Sequence, residues 1–168
     1  MTHQYSFKKN DEYHTPEYAV IPIVDFLKKD SIVWCPFDTG ESNFVKVLTE
    51  KGFTVIHSHI NDGKDFFCVD VPDCDYIISN PPYSCRDKVF ERLYDIGKPF
   101  AMLINFQGIF DSKKRFNLFK NNKVEMLWLS PRVSFFTETG EKTSPPFQSG
   151  YLCSGILTKQ LEFSDIKR

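Results

Sequence analysis

The sequence has little net charge, few glycines and no long apolar run. Its 21 basic and 22 acidic side chains nearly cancel, which leaves a formal net charge of −1 and a pI near 6.4. No global positive field draws such a chain to nucleic acid, so any nucleic-acid contact must come from a local basic patch. Neither a signal peptide nor an apolar run of membrane-spanning length is recognisable, which predicts a cytoplasmic protein without membrane partners.

The five cysteines show no spacing typical of a metal site or a disulfide framework. Their number is odd, none forms a Cys-x-x-Cys pair, and most lie in apolar runs: Cys35, Cys68, Cys74, Cys85 and Cys153. We therefore expect reduced, buried thiols and no metal ion.

Runs of strand type and helix type alternate along the chain. The 168 residues, 41% hydrophobic and 15% aromatic, suit one domain, in which the polar residues 1–12 are expected to be loose. Strands are predicted at 31–35, 53–56, 76–78, 100–106, 124–129 and 151–157, and helices at 43–51, 86–96 and 108–122. Another helix is expected with Thr15 as N-cap, Pro16 at its first position and a kink or break at Pro22. The order predicts a doubly wound, three-layer α/β sandwich with a mostly parallel sheet of about seven strands and an antiparallel hairpin at its end.

The strand at residues 76–78 leads into the turn Asn80-Pro81-Pro82-Tyr83. Because proline cannot donate to a sheet ladder, the chain leaves the sheet here, at the carboxyl end of a strand, where open α/β sheets bind ligands. The rigid turn presents the Asn80 side-chain carbonyl and the Pro81 backbone carbonyl as acceptors that suit the two N–H bonds of an exocyclic amine. Tyr83 adds a face on which an aromatic base can stack. A proline-terminated strand without a chemical role is the alternative interpretation.

Asn80-Pro81-Pro82-Tyr83 resembles the catalytic motif of the amino-group DNA methyltransferases, above all those that act on adenine N6. The resemblance extends over residues 13–157 and points to small, often phage-encoded relatives of the restriction-modification adenine methylases. It implies the Rossmann-like class I methyltransferase fold, S-adenosylmethionine as cofactor, and methyl transfer to the N6 amine of adenine in DNA. It also implies that Asn80, Pro81, Pro82 and Tyr83 are the catalytic residues.

The same resemblance implies a cofactor site built from three segments. Residues 36–42 stand where the family usually has Asp-Pro-Phe-x-Gly-x-Gly, but Cys35 replaces the acid and only Gly40 is present. An aromatic-Thr-Pro element precedes the first helix, and an acid-Phe pair follows the second strand. The implied cofactor-binding residues are Tyr13, Thr15, Pro16, Pro36, Phe37, Asp38, Gly40, Ser42, Asp65 and Phe66. The ribose-binding acid usual at the end of the second strand is missing. His59 or Asp62 could replace it, although solvated loop residues are the preferred interpretation.

Substrate contacts are implied in the second half of the chain. The helix predicted at 108–122 turns Phe110, Phe116 and Phe119 towards the core and its basic side chains outwards. The segment 132–135 resembles one that flanks the target-base pocket, where an aromatic ring packs on the flipped base. The candidate substrate-binding residues are Lys113, Lys114, Arg115, Arg132 and Phe135. A solvated helix face and a phenylalanine of the ordinary core are the alternatives.

We expect no separate target-recognition domain, although adenine methylases of this order usually carry one of roughly 100 residues or more. DNA is the expected partner, and a homodimer or a partner protein could supply target recognition. Two alternatives remain from other classes of function. One is an RNA or protein-amide methyltransferase with the same motif, and the other is a binding protein that has lost cofactor binding or turnover.

Overall fold

The computed structural model describes residues 14–137, 139–143 and 145–167. Within these ranges the helices are α1 (Glu17–Val24), α2 (Asn43–Glu50), α3 (Arg86–Ile96) and α4 (Lys113–Lys120). The strands are β1 (Ile32–Cys35), β2 (Thr54–His57), β3 (Tyr76–Ser79), β4 (Phe100–Asn105), β5 (Glu125–Ser130), β6 (Phe135–Phe136), β7 (Lys142–Thr143), β8 (Ser149–Ser154) and β9 (Leu161–Asp165). Short 3-10 turns span Ile60–Asp62 and Tyr83–Cys85.

Seven of the strands form one sheet in the order β2-β1-β3-β4-β8-β5-β9. Strand β1 pairs in parallel with β2 and β3, and β3 pairs in parallel with β4. Strand β8 lies antiparallel between β4 and β5, while β9 runs parallel to β5 at the edge. The predicted α/β fold with a mostly parallel seven-stranded sheet and an antiparallel end is therefore confirmed. Strand β9 was not predicted, because its charged residues interrupt the apolar pattern.

Two hydrophobic clusters lie on opposite faces of the sheet. One contains Val20 of α1 and Leu48 of α2, and the other contains Phe90 of α3 and Phe119 of α4. Neighbouring residues of a strand point to opposite faces, so Ile77 and Ile78 of β3 belong to different clusters. The helices thus cover both faces, which confirms the three-layer arrangement and explains why the central strands are apolar throughout.

Two helices differ from the sequence predictions. Helix α1 continues through Pro22 and ends two residues later, and its N-cap is Pro16 rather than Thr15. Helix α4 is shorter than residues 108–122 because Ser112 caps it, with its hydroxyl accepting from the Arg115 N–H. The prediction that Phe110 and Phe116 point to the core was wrong: they are 46% and 50% exposed.

No described helix is long and apolar enough to cross a membrane. Within the described ranges all five cysteines are free thiols, as predicted, and Cys35, Cys74 and Cys153 are buried. Cys68 departs from the expectation of burial, since it is exposed. The described residues contain no cluster of side chains that could hold a metal ion.

A buried carboxylate closes the amino-terminal edge of the sheet. Glu125 begins β5, and its Oε2 accepts from the backbone N–H groups of Ile156 and Leu157 at 2.9 and 2.8 Å. Lys123 Nζ lies 2.7 Å from its Oε1. Burial acts to raise the pKa of Glu125, but Lys123 and the two N–H groups outweigh it and lower the pKa below its ordinary value. The carboxylate therefore fixes the loop between β8 and β9.

We predict that Glu125→Ala lowers the free energy of unfolding by about 2 to 4 kcal/mol, because it leaves two buried N–H groups without an acceptor. Glu125→Gln should cost less, since an amide oxygen in the place of Oε2 still accepts both hydrogen bonds and only the ion pair with Lys123 is lost. Urea denaturation of the two variants measures the difference. Equal, small effects would show that the loop does not depend on this carboxylate.

Candidate functional site

A cavity of about 840 Å³ opens at the carboxyl ends of β1, β2 and β3. Its wall is built from the loops that follow these three strands, together with the chain before α1 and the hairpin of β6 and β7. The residues that line it are His14, Thr15, Pro36, Phe37, Asp38, Thr39, Glu41, Ser42, Asn43, Phe44, His59, Ile60, Asn61, Asp65, Phe66, Phe67, Asn80, Pro81, Pro82, Tyr83, Phe136, Thr137 and Gly140. This size falls within the range of about 300 to 1,000 Å³ that is typical of sites for small molecules and cofactors.

Asn80 stands directly after β3, where the two prolines end the strand. Its Nδ2 donates to Thr15 Oγ1 at 3.2 Å. Its Oδ1 is shielded from solvent and has no hydrogen-bond partner among the described residues. A buried acceptor without a donor costs roughly 1 to 3 kcal/mol, so Asn80, which lines the cavity, carries an oxygen whose hydrogen-bonding capacity is unused within the described residues.

The rest of the turn is rigid and aromatic. Pro81 is buried and Pro82 half-buried. The Pro82 carbonyl accepts from the Cys85 N–H at 3.4 Å, which closes the 3-10 turn. The Tyr83 ring lies edge-on to Phe147, with 6.1 Å between centroids and planes 83° apart. Phe147 therefore supports the Tyr83 ring from the side, and Tyr83 also lines the cavity.

Asp38 is a buried carboxylic acid in the cavity wall, in the loop after β1. Its backbone N–H donates to the Ser58 carbonyl at 3.1 Å. Its Oδ2 accepts a hydrogen bond from the Ser79 hydroxyl at the end of β3. Burial raises the pKa of Asp38 to about 6, although hydrogen bonds from Ser79 and Ser42 act in the opposite direction. A cationic ligand group beside this carboxyl would favour its ionised form, so the site suits an ammonium or sulfonium.

The far side of the cavity is aromatic. Phe66 packs against Phe37 and Phe67, with ring centroids 4.8 and 5.4 Å apart. The Arg92 guanidinium lies 5.4 Å from the Phe66 centroid on the same aromatic cluster. Asp65 Oδ1 accepts from the Phe67 N–H at 3.0 Å, which fixes the turn that presents these rings. A flat aromatic ligand group would find both stacking surface and a carboxylate here.

The end of β2 adds polar groups to this side. His59 caps the following 3-10 turn, with its Nδ1 accepting from the Asn61 N–H at 3.1 Å. His59, Ile60 and Asn61 line the cavity, whereas Asp62 is exposed and does not. Asp62 is therefore placed as the interpretation of a solvated loop residue expects, whereas His59 lies where it would contact a ligand, and its role stays a prediction.

The structure brings together most of the predicted cofactor and catalytic residues. The cavity wall includes Thr15, Pro36, Phe37, Asp38, Ser42, Asp65, Phe66, Asn80, Pro81, Pro82 and Tyr83. Pro16 is buried at the start of α1 and Gly40 is exposed, and neither lines the wall. Tyr13 lies outside the described residues. A cavity wall does not by itself test these roles, which remain predictions.

Two of the predicted substrate positions need correction or qualification. Phe135 was expected in the wall, but it is 1% exposed and belongs to the core. Its neighbour Phe136 lines the cavity instead, because successive residues of a strand face opposite sides. The Arg115 guanidinium is engaged within the fold: it lies 2.5 Å from Asp87 and donates to the carbonyls of Gly108 and Ile109.

The remaining basic residues lie outside the cavity wall but near the same edge of the sheet. Lys113 and Arg132 are exposed, and Lys114 forms an ion pair with Glu91 at 2.9 Å. Lys113 begins α4 after the carboxyl end of β4, and Arg132 follows the carboxyl end of β5, which runs parallel to β4.

Sequence reasoning missed the hairpin of β6 and β7. Two backbone hydrogen bonds, of 2.9 and 3.1 Å, join His14 to Phe136 and bring the hairpin beside the N-terminal segment. Phe136, Thr137 and Gly140 thereby reach the cavity. Strands of two residues carry no periodic signal, so the pattern of the sequence could not reveal them.

No protein-family model matches the chain. No curated protein matches it either. Among solved structures, the chain is similar to a precorrin-6y C5,15-methyltransferase from Geobacter metallireducens GS-15. The identity is 12%, the TM-score is 0.43, and the alignment covers 87% of this chain and 95% of that one. Similarity at this level says nothing about substrate or activity.

We predict that the free energy of unfolding depends on pH because Asp38 is buried. Because its folded pKa of about 6 is above the unfolded value, its stabilising contribution is complete below about pH 4 and is lost as pH rises through 6. Relative to Asp38→Asn, the wild type should therefore lose about 3 kcal/mol of unfolding free energy between pH 4 and 7. Urea denaturation across this range measures it.

Ser79→Ala is the matched test for this prediction. The Ser79 hydroxyl donates to the Asp38 carboxylate, and its loss should raise the pKa of Asp38 further, because the ionised form loses a partner. The pH at which the stabilising contribution of Asp38 is lost should therefore rise. If the difference in unfolding free energy between the wild type and Asp38→Asn does not change with pH, Asp38 does not have a raised pKa in the folded protein.

Proposed function

We propose that this chain is an S-adenosylmethionine-dependent methyltransferase that methylates the N6 amine of adenine in DNA. One observation carries the proposal: Asn80 lines a ligand-sized cavity, and its side-chain oxygen has no hydrogen-bond partner among the described residues. The Asn80-Pro81-Pro82-Tyr83 sequence and the sheet order, with its antiparallel β8, are further support.

The cavity has groups that suit both ends of the cofactor. Asp38 is a buried acid that would pair with the methionine ammonium, and Ser42 adds a hydroxyl group nearby. Phe67 offers aromatic surface for the adenine ring, with the buried Phe66 packed against it, and Asp65 is an acceptor for the adenine amino group. The loop after β1 has a single glycine, Gly40, but its neighbours Thr39 and Glu41 line the cavity without filling it.

The bound cofactor supplies an electrophilic methyl group on a sulfonium centre. The protein then needs no covalent nucleophile, since its task is to hold the target amine in line and to stabilise the positive charge that develops on nitrogen. Asn80 Oδ1 and the Pro81 backbone carbonyl accept the two N–H bonds of the amine, and Tyr83 stacks on the flipped base. Phe147 holds the Tyr83 ring in place from its edge.

DNA binding falls to basic side chains around the cavity mouth. Lys113 and Arg132 lie at the same sheet edge as the cavity, and Lys142 belongs to the hairpin beside it. Lys114 and Arg115 add positive charge, although acidic neighbours partly neutralise both. With a net charge of −1, the chain has no long-range attraction for DNA. A second copy or a partner protein would add affinity and target recognition.

Two alternative functions follow from the same site. The acceptor pair recognises an amine rather than a duplex, so an RNA base or a protein amide could be the substrate. The shortened glycine pattern at Thr39 to Glu41 favours a binding protein without turnover as the other alternative. One experiment separates these functions: the protein is incubated with methyl-labelled cofactor and with DNA, RNA or protein. Digestion of the DNA to nucleosides followed by mass spectrometry should find N6-methyladenine. Label that appears in RNA or protein alone would overturn the DNA assignment.

We predict that Asn80→Ala lowers kcat by about 100-fold or more, the scale for removal of one preorganised electrostatic partner, while cofactor affinity stays nearly unchanged. Tyr83→Phe should have a mild effect because the ring face remains, whereas Tyr83→Ala should be severe. Steady-state kinetics gives kcat and calorimetry gives the cofactor Kd. Wild-type turnover by Asn80→Ala would reject the proposed chemistry.

We also predict weak, strongly salt-dependent DNA binding by the isolated chain. Each phosphate contact contributes about 0.9 to the slope of log K against log salt, so Lys113→Ala combined with Arg132→Ala should reduce that slope by about 2. Lys159→Ala is the matched control, because residue 159 lies between β8 and β9 at the opposite edge of the sheet. An equal reduction of the slope in Lys159→Ala, or tight binding that does not depend on salt, would contradict the assignment of DNA binding to Lys113 and Arg132.

A further inference from the structure

We infer that Thr15 is a positioning residue that holds the Asn80 amide with its oxygen available to the substrate amine. The inference rests on the proposed function, because it concerns the same amide. It adds a role for a residue that the sequence indicated only as a helix cap or a cofactor contact.

The contacts of Thr15 tie three parts of the molecule together. Its Oγ1 accepts from Asn80 Nδ2 at 3.2 Å, and its backbone carbonyl accepts from Asn43 Nδ2 at 2.8 Å. Thr15 is 7% exposed, and Pro16 after it restricts its backbone to extended conformations. The hydroxyl therefore stands at a fixed place between the start of α1, the start of α2 and the end of β3.

The chemistry of an amide explains why this contact matters. An amine substrate brings N–H donors, so Asn80 must present Oδ1 to it, and its NH₂ group must then find an acceptor elsewhere. Thr15 Oγ1 is that acceptor, and Thr15 is not the cap of α1, because the N-cap position is occupied by Pro16. Without the hydroxyl, the orientation that serves the substrate leaves a buried NH₂ group unsatisfied.

The test compares Thr15→Val, which has the same shape without a hydrogen-bonding oxygen, with Thr15→Ser, which keeps the oxygen. We expect Thr15→Val to lower kcat by about 10- to 100-fold and to change the KM for the cofactor by less than about threefold. Thr15→Ser should restore most of kcat. Thr54→Val, at an exposed threonine on β2, controls for the substitution itself. Equal kcat in Thr15→Val and wild type overturns the inference.

A double-mutant cycle separates positioning from general stability. In an Asn80→Ala background there is no amide to hold, so adding Thr15→Val should change kcat by less than about twofold. Fully additive losses in the double variant would show that Thr15 acts on the fold and not through Asn80. If Thr15→Val does not fold, Thr15→Ala removes the same oxygen and is judged by the same comparison.

The two proposals fail in different ways. An active wild type whose Thr15→Val variant has the same kcat rejects only the positioning role. A wild type that binds cofactor but methylates none of DNA, RNA and protein rejects the proposed function, and the positioning role with it.

Discussion

The hydrogen bond from the Ser79 hydroxyl to the Asp38 carboxylate joins the ends of β1 and β3, and the candidate site depends on this junction. Parallel pairing of the two strands sets Trp34 opposite Ile77, so both chains leave the sheet at the same edge and side by side. The junction thereby places a buried acid next to the turn that carries Asn80. Both loops contribute to the cavity wall, together with the loop after β2, the chain before α1 and the hairpin of β6 and β7.

Asp38 and Asn80 suit different kinds of ligand group. Asp38 suits a cationic ligand group because it is a buried acid in the cavity wall, and Asn80 offers an uncharged acceptor for an amine. Thr15 belongs to the N-terminal segment that the β6–β7 hairpin pairs with, so the amide geometry is coupled to elements far along the chain. The site is therefore a property of the whole fold, although its motif is only four residues long.

The sequence predicted the parts of this site that local chemistry determines. The β-branched run before Asn80 and the two prolines determine where β3 ends, and the end of β1 at Cys35 determines where the loop with Asp38 begins. What the sequence could not predict depends on tertiary contacts. Phe136 rather than Phe135 lines the cavity because Phe136 pairs with His14. Phe110 and Phe116 are exposed because α4 begins only after its cap at Ser112. The contact between Thr15 and Asn80 joins positions 65 residues apart, beyond the reach of any local pattern.

The most direct test of this account is a crystal structure of the protein bound to S-adenosylhomocysteine. We predict that the ligand occupies the cavity at the ends of β1, β2 and β3, with its amino group at hydrogen-bonding distance from Asp38 and its adenine ring against Phe66 or Phe67. The sulfur should then face Asn80. A ligand bound at another place, or bound here with its sulfur turned away from Asn80, would contradict the account.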